Sequence, residues 1–162
     1  MLKKFAVKEL AGKPMDNKSI NPALQPFQVL IGKWKTTGTH PFLPNKTLQG
    51  KTSFEWIEDG AFIIMHSEIQ DEHFPKGVAI FGSDDSKGKY YMIYFDDRGV
   101  SRKYNMSIDN KQWKWWRNDP EFSQRFTVAI SDDGQTMRSK GEMKKGNSEW
   151  EGDLSLTYTK QA

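Results

Sequence analysis

From Gly32 onward a turn signal interrupts the chain roughly every 8–12 residues: LPNK, EDG, DEHFPKG, DDSKG, DDRG, NDP, DDG and KKGN. No other feature limits the fold so strongly. Between the turns lie short runs rich in aromatic and β-branched residues, several alternating with period two. The pattern predicts strands at 32–40, 48–58, 61–70, 77–83, 89–96, 99–108, 111–118, 121–131, 135–143 and 148–159. Connections this short make neighbours pair antiparallel, as a meander. No helical period interrupts the strands, which rules against βαβ units.

Alternation then assigns faces. In VSRKYNMSI, Val100, Arg102, Tyr104, Met106 and Ile108 face one way. In EFSQRFTVAI the set is Phe122, Gln124, Phe126, Val128 and Ile130; in SEWEGDLSLTY it is Trp150, Gly152, Leu154, Leu156 and Tyr158, with Asp153 opposite. One face is core and the other meets water. A closed barrel abolishes the edges that an open sheet would expose. About eight strands enclose a space that side chains can fill, and diameter grows with strand number. The expected fold is therefore an all-β, antiparallel up-and-down barrel of ten strands with an interior cavity.

The segment before the first strand reads as its lid. Asn21-Pro22 caps ALQPFQVLI, where Leu24, Phe27, Leu30 and Ile31 approximate helical spacing and Gly32 stops the helix. Trp34 opens the first strand, placed to cover the barrel's closed end. Thr36, Gly38 and His40 share its face, and so small and polar a face suits a cavity wall.

Composition narrows the partners. The 24 basic residues exceed the 21 acidic ones, yet residues 1–18 alone carry five lysines against Glu9 and Asp16. A basic arm over 1–20 and an electrically balanced barrel domain over 21–162 follow, which argues against nucleic acid. No apolar run reaches the 18 residues of a membrane span, and MLKKFAVKELAGKP lacks the apolar core of a secretory signal. No cysteine is present, so disulfides and zinc-thiolate sites are excluded. A cytoplasmic protein is expected, without a cofactor.

"NPALQPFQVLIGKWKTTGTHP" resembles the opening signature of the nitrobindin-type, heme-binding-like β-barrels, through Gly32, Trp34, Gly38 and Pro41. A second glycine of that signature, near Thr36, is absent. "FEWIEDGAFIIMHSE", "IFGSDDSKGKYYMIYFDDRG" and "WEGDLSLTYT" are similar to bacterial families described as lipocalin-like, over nearly the whole length after residue 20. Both resemblances imply the calycin superfamily, whose lipocalin-like and fatty-acid-binding-protein-like barrels enclose small ligands. Nitrobindin-type proteins hold heme through a histidine of the C-terminal strands. Here the histidines are His40, His66 and His73, so that ligand does not carry over, and heme is a lesser alternative.

Three groups of residues stand out as candidates. His66 and Glu68 lie two apart on one strand and share a face, as an acid–base pair in the cavity or as solvated outer residues; Phe62 and Ile64 on that face leave both open. Arg102 and Tyr104 sit on an otherwise apolar face, where a guanidinium needs an acceptor such as a ligand carboxylate or else emerges at the rim. In KQWKWWRNDP, Trp113, Trp115 and Arg117 share one face and Trp116 the other, a candidate contact surface for a homodimer. Asp84-Asp85, Asp96-Asp97 and Asp132-Asp133 belong to turns, not metal sites.

The leading expectation is a carrier or sensor of a small hydrophobic or amphipathic molecule. Its lining would draw on Trp34, Thr36, Tyr104, Trp113, Trp115, Phe126 and Trp150, with Arg102 or His66 supplying polarity. The rival is an isomerase, cyclase or hydrolase of a hydrophobic substrate acting through His66 and Glu68.

Overall fold

The computed structural model describes residues 20–85 and 88–162. The expected basic arm lies outside the described residues, Ile20 apart. The described residues form ten strands: β1 Gly32–Thr39, β2 Leu48–Ile57, β3 Phe62–Ile69, β4 Gly77–Asp84, β5 Lys89–Asp96, β6 Ser101–Ile108, β7 Gln112–Arg117, β8 Phe122–Ile130, β9 Thr136–Lys145 and β10 Glu151–Lys160. Each pairs antiparallel with its neighbours in sequence, and β1 closes the barrel on β10 with Thr36 opposite Tyr158. The expected all-β, ten-stranded barrel is the fold.

The lid is a 3-10 helix, Pro22–Leu30. Asn21 caps it, its side chain accepting from the Ala23 N–H at 3.0 Å. Pro26 inside it has no N–H to donate and would interrupt the hydrogen-bond ladder of an α-helix. Leu24, Phe27 and Leu30 are fully buried and plug one end of the barrel. The Phe27 ring meets Phe81 and Tyr90 edge-on, with centroids 5.3 and 5.1 Å away. Trp34 fixes the plug in place: its indole N–H donates 2.8 Å to the Leu30 carbonyl, one of the acceptors a helix end leaves open. Between Leu30 and Trp34 the chain reverses at Gly32, whose φ of 135° few other residues adopt. A second tie runs from the Asn21 N–H to the Gly60 carbonyl, 2.8 Å, in the β2–β3 turn.

Above the plug the interior is a cluster of edge-on and tilted aromatic rings. Phe54, Phe81 and Trp113 are buried and touch one another, with centroids 5.7 to 6.1 Å apart. Toward the other end the barrel opens.

A β-bulge interrupts β10. Its register against β9 slips between Gly152 and Ser155. Gly152 opposes Glu142 and Ser155 opposes Lys140, so Asp153 and Leu154 together face the single residue Gly141. One extra residue reverses the side-chain parity on the N-terminal side of the bulge.

Candidate functional site

The open half of the barrel encloses a cavity of about 430 Å3. Two unlike walls form it. On β6, β7 and β8 the wall is aromatic: Tyr104, Trp113, Trp115 and Phe126. Trp115 stacks on Phe126 at 3.8 Å with an 11° interplanar angle, and Tyr104 meets Trp115 edge-on at 5.0 Å. Opposite them, Thr52 of β2, Thr36 of β1, Tyr158 of β10 and Ser139 of β9 present hydroxyls from four adjacent strands. Burial pushes the Tyr158 hydroxyl up to about 12.

A polar chain crosses from the aromatic wall to the rim. The Tyr104 hydroxyl donates to Gln124 Oε1 at 2.5 Å, and Gln124 Nε2 donates to Asp153 Oδ2 at 2.8 Å. Asp153 Oδ1 accepts from the Leu154 N–H and lies 3.2 Å from His40 Nε2. Because the Phe42 N–H donates to His40 Nδ1, a neutral His40 carries its proton on Nε2, toward Asp153. Burial raises the Tyr104 hydroxyl, and Arg102 beside it works in the opposite sense.

Arginines mark the mouth. Arg102 lies over the Phe122 ring, 4.6 Å from its centroid, and pairs with no carboxylate among the described residues. Arg98, in contrast, is pinned to Asp96 at 2.7 Å. Asp96 also accepts from the Tyr94 hydroxyl at 2.9 Å. The Arg98 hydrogen bonds, helped by Tyr94, hold the Asp96 carboxyl at about 2, below its ordinary 3.8. A depressed carboxyl contributes stability above its unfolded value and loses it as pH falls through the folded one. Asp96→Asn should therefore be less stable than wild type at pH 7, and the gap should close between about pH 4 and pH 2. Urea midpoints across that range check it, and a gap that stays constant would contradict the assignment.

Arg102, Tyr104, Trp113, Trp115, Phe126 and Thr36 converge on the cavity. Trp34 faces inward too, but one step deeper: it is 1% exposed, packed on the lid, and does not border the cavity. Trp150 corrects the expectation. The bulge turns it outward, where the Arg125 guanidinium lies 3.9 Å from its ring centroid. His66 corrects it as well. Met65 and Ser67 line the cavity, whereas His66 pairs between Ser53 and Val78 on the outer face and is exposed. Glu68 shares that face, its carboxylate 3.8 Å from Lys51 and 3.6 Å from Lys76 at the cavity rim. The two do not form an acid–base pair inside the barrel.

Sequence reasoning missed several lining groups. Gln124 was legible as a polar interruption of the apolar face of β8. Strict alternation points Asp153 outward, and only the bulge brings it inside. Ser139 and Thr52 are small polar residues on inward faces, a signal too common to single out.

No protein-family model matches the chain, and no curated protein matches it. Among solved structures it is similar to the crystal structure of Rv2717c from M. tuberculosis, with a TM-score of 0.61 and 12% identity. That likeness covers 89% of this chain and 100% of the other. At such low identity the similarity shows a shared barrel fold.

Proposed function

We propose that the barrel interior holds one small, partly apolar molecule, and that the protein acts as its carrier or sensor without transforming it. One observation carries this reading: a cavity of about 430 Å3 in which an aromatic wall meets a guanidinium with no carboxylate partner among the described residues. Apolar walls with a few placed polar groups are what small-molecule sites require, and this volume lies within their usual range. Arg102 supplies charge-assisted donors for a carbonyl or anionic oxygen of the ligand. Hydrolytic or isomerising chemistry through His66 and Glu68 lacks support, because His66 lies exposed on the outer face while Glu68, at the cavity rim, faces Lys51 and Lys76. Heme remains the lesser alternative: His40 has both ring nitrogens engaged, and His73 at the mouth bonds Asp71 through Nδ1 at 2.6 Å, which leaves Nε2 as its open position.

The test uses 1-anilinonaphthalene-8-sulfonate, an aromatic anion, titrated into the full chain. One site should saturate, and Arg102→Met should weaken it roughly tenfold or more, the usual effect of losing a charged hydrogen bond. Equal affinity in wild type and Arg102→Met would remove the cavity anchor from the reading.

A further inference from the structure

The hydroxyl wall says more about the ligand than Arg102 does. Thr36, Thr52 and Ser139 are 1%, 4% and 8% exposed. Neither they nor Tyr158 donate or accept a side-chain hydrogen bond among the described residues. Yet they are not sealed away. Among the described residues, the sealed polar side-chain atoms without a hydrogen bond are Trp113 Nε1 and Asp71 Oδ2, the latter facing the Lys46 ammonium. The four hydroxyls therefore open onto the cavity space.

A buried hydroxyl covered by hydrocarbon loses its hydration and gains nothing in return. An alkyl chain filling this barrel would do that to four hydroxyls at once. A ligand with oxygens along one edge would instead exchange hydrogen bonds with them, replacing the water that otherwise occupies such a polar recess. The facing wall asks for the opposite character. Trp115, Phe126 and Tyr104 offer ring faces and edges, which pack best on another ring. Tyr104 adds a directional constraint: its proton is committed to Gln124. Toward the cavity it can only accept, while Arg102 beside it can only donate.

From this two-faced cavity we infer that the ligand is an aromatic ring system carrying hydroxyl and carbonyl oxygens along its edge, rather than a fatty chain. The inference rests on the interior-binding reading above and deepens it. A ligand hydroxyl would donate to Tyr104, a neighbouring carbonyl or phenolate oxygen would accept from Arg102, and the remaining edge oxygens would meet Thr36, Thr52, Ser139 and Tyr158.

Calorimetric titration of the full chain with three probes tests it: the polyhydroxylated flavonol quercetin, the unsubstituted flavone, and oleate. Quercetin should bind about tenfold or more tighter than flavone, and oleate weakest. Thr36→Val and Ser139→Ala keep the shape of the wall and remove its hydroxyls. Each should weaken quercetin roughly 3- to 10-fold and leave flavone within about twofold. Variants that shift quercetin and flavone alike would overturn the inference. Oleate bound tightly while quercetin is silent would overturn it too, and would leave interior binding standing. Heat from none of the three would remove both.

Discussion

Trp113→Ala should destabilise the barrel by about 3–5 kcal/mol, the cost of emptying a buried aromatic position. For a chain of this length that lowers the melting temperature by on the order of 10 °C. Trp113 borders the cavity but is 1% exposed and packed against Phe54, Phe81 and Trp115, so its removal deletes three aromatic contacts at once. Trp115→Ala, two residues on, should behave differently. It loses the Phe126 stack and the Tyr104 edge contact, each about 0.5–1.5 kcal/mol beyond its area, but one side of the indole already borders open space. We expect about 2 kcal/mol of lost stability together with an anilinonaphthalene sulfonate affinity at least tenfold weaker. Thermal melts and dye titrations of the two variants separate the cases. Equal, large losses of stability would mean that Trp115 is packed core and that the cavity has no aromatic wall.

The second large effect belongs to a glycine. A Cβ built on Gly38 would stand 1.9 Å from the Ser155 carbonyl oxygen, which is backbone and cannot rotate away. Gly38 lies opposite Leu156, just beyond the β10 bulge, so the two strands approach closely where the barrel bends. Gly38→Ala should cost about 3 kcal/mol, the upper end of what overpacking usually does. Gly141→Ala offers the contrast. There the clash is 2.2 Å to Phe126 Cε1, a side-chain atom, and the ring can swing at the expense of its stack on Trp115. Gly141→Ala should lose less stability than Gly38→Ala but more dye affinity. A Gly38→Ala variant melting like wild type would contradict the close approach of β1 and β10.

Most of the fold was legible because turn chemistry and period-two alternation are local signals, and a meander asks only that neighbours pair. The site was legible where alternation holds. Arg102, Tyr104, Trp113, Trp115 and Phe126 sit on unbroken strands, and all border the cavity. It failed where one residue breaks the count. The bulge at Gly152–Ser155 sends Trp150 out and Asp153 in, so a single irregularity produces both misplacements. For β3 the alternation could not choose between faces, since Ile63 and Met65 are as apolar as Phe62 and Ile64. The choice falls to the packing of the closed end, where Ile63 is fully buried while Phe62 is 44% exposed. Trp34 shows a different limit. Its inward direction followed from alternation, but its depth depends on where the lid sits.

The outer face offers a competing surface for a ligand. Ile64, Ile80 and Ile93 form one cross-strand row on β3, β4 and β5, beside the exposed Phe62 and Phe95. An apolar dye could adsorb there without entering the barrel. Backbone amide shifts recorded during a titration with anilinonaphthalene sulfonate decide between the two. Binding inside the barrel should give the largest changes at Thr36, Arg102, Tyr104, Trp115 and Ser139, saturating together at one equivalent. Changes confined to Ile64, Ile80, Ile93 and Phe95, with the interior strands silent, would contradict binding inside the barrel.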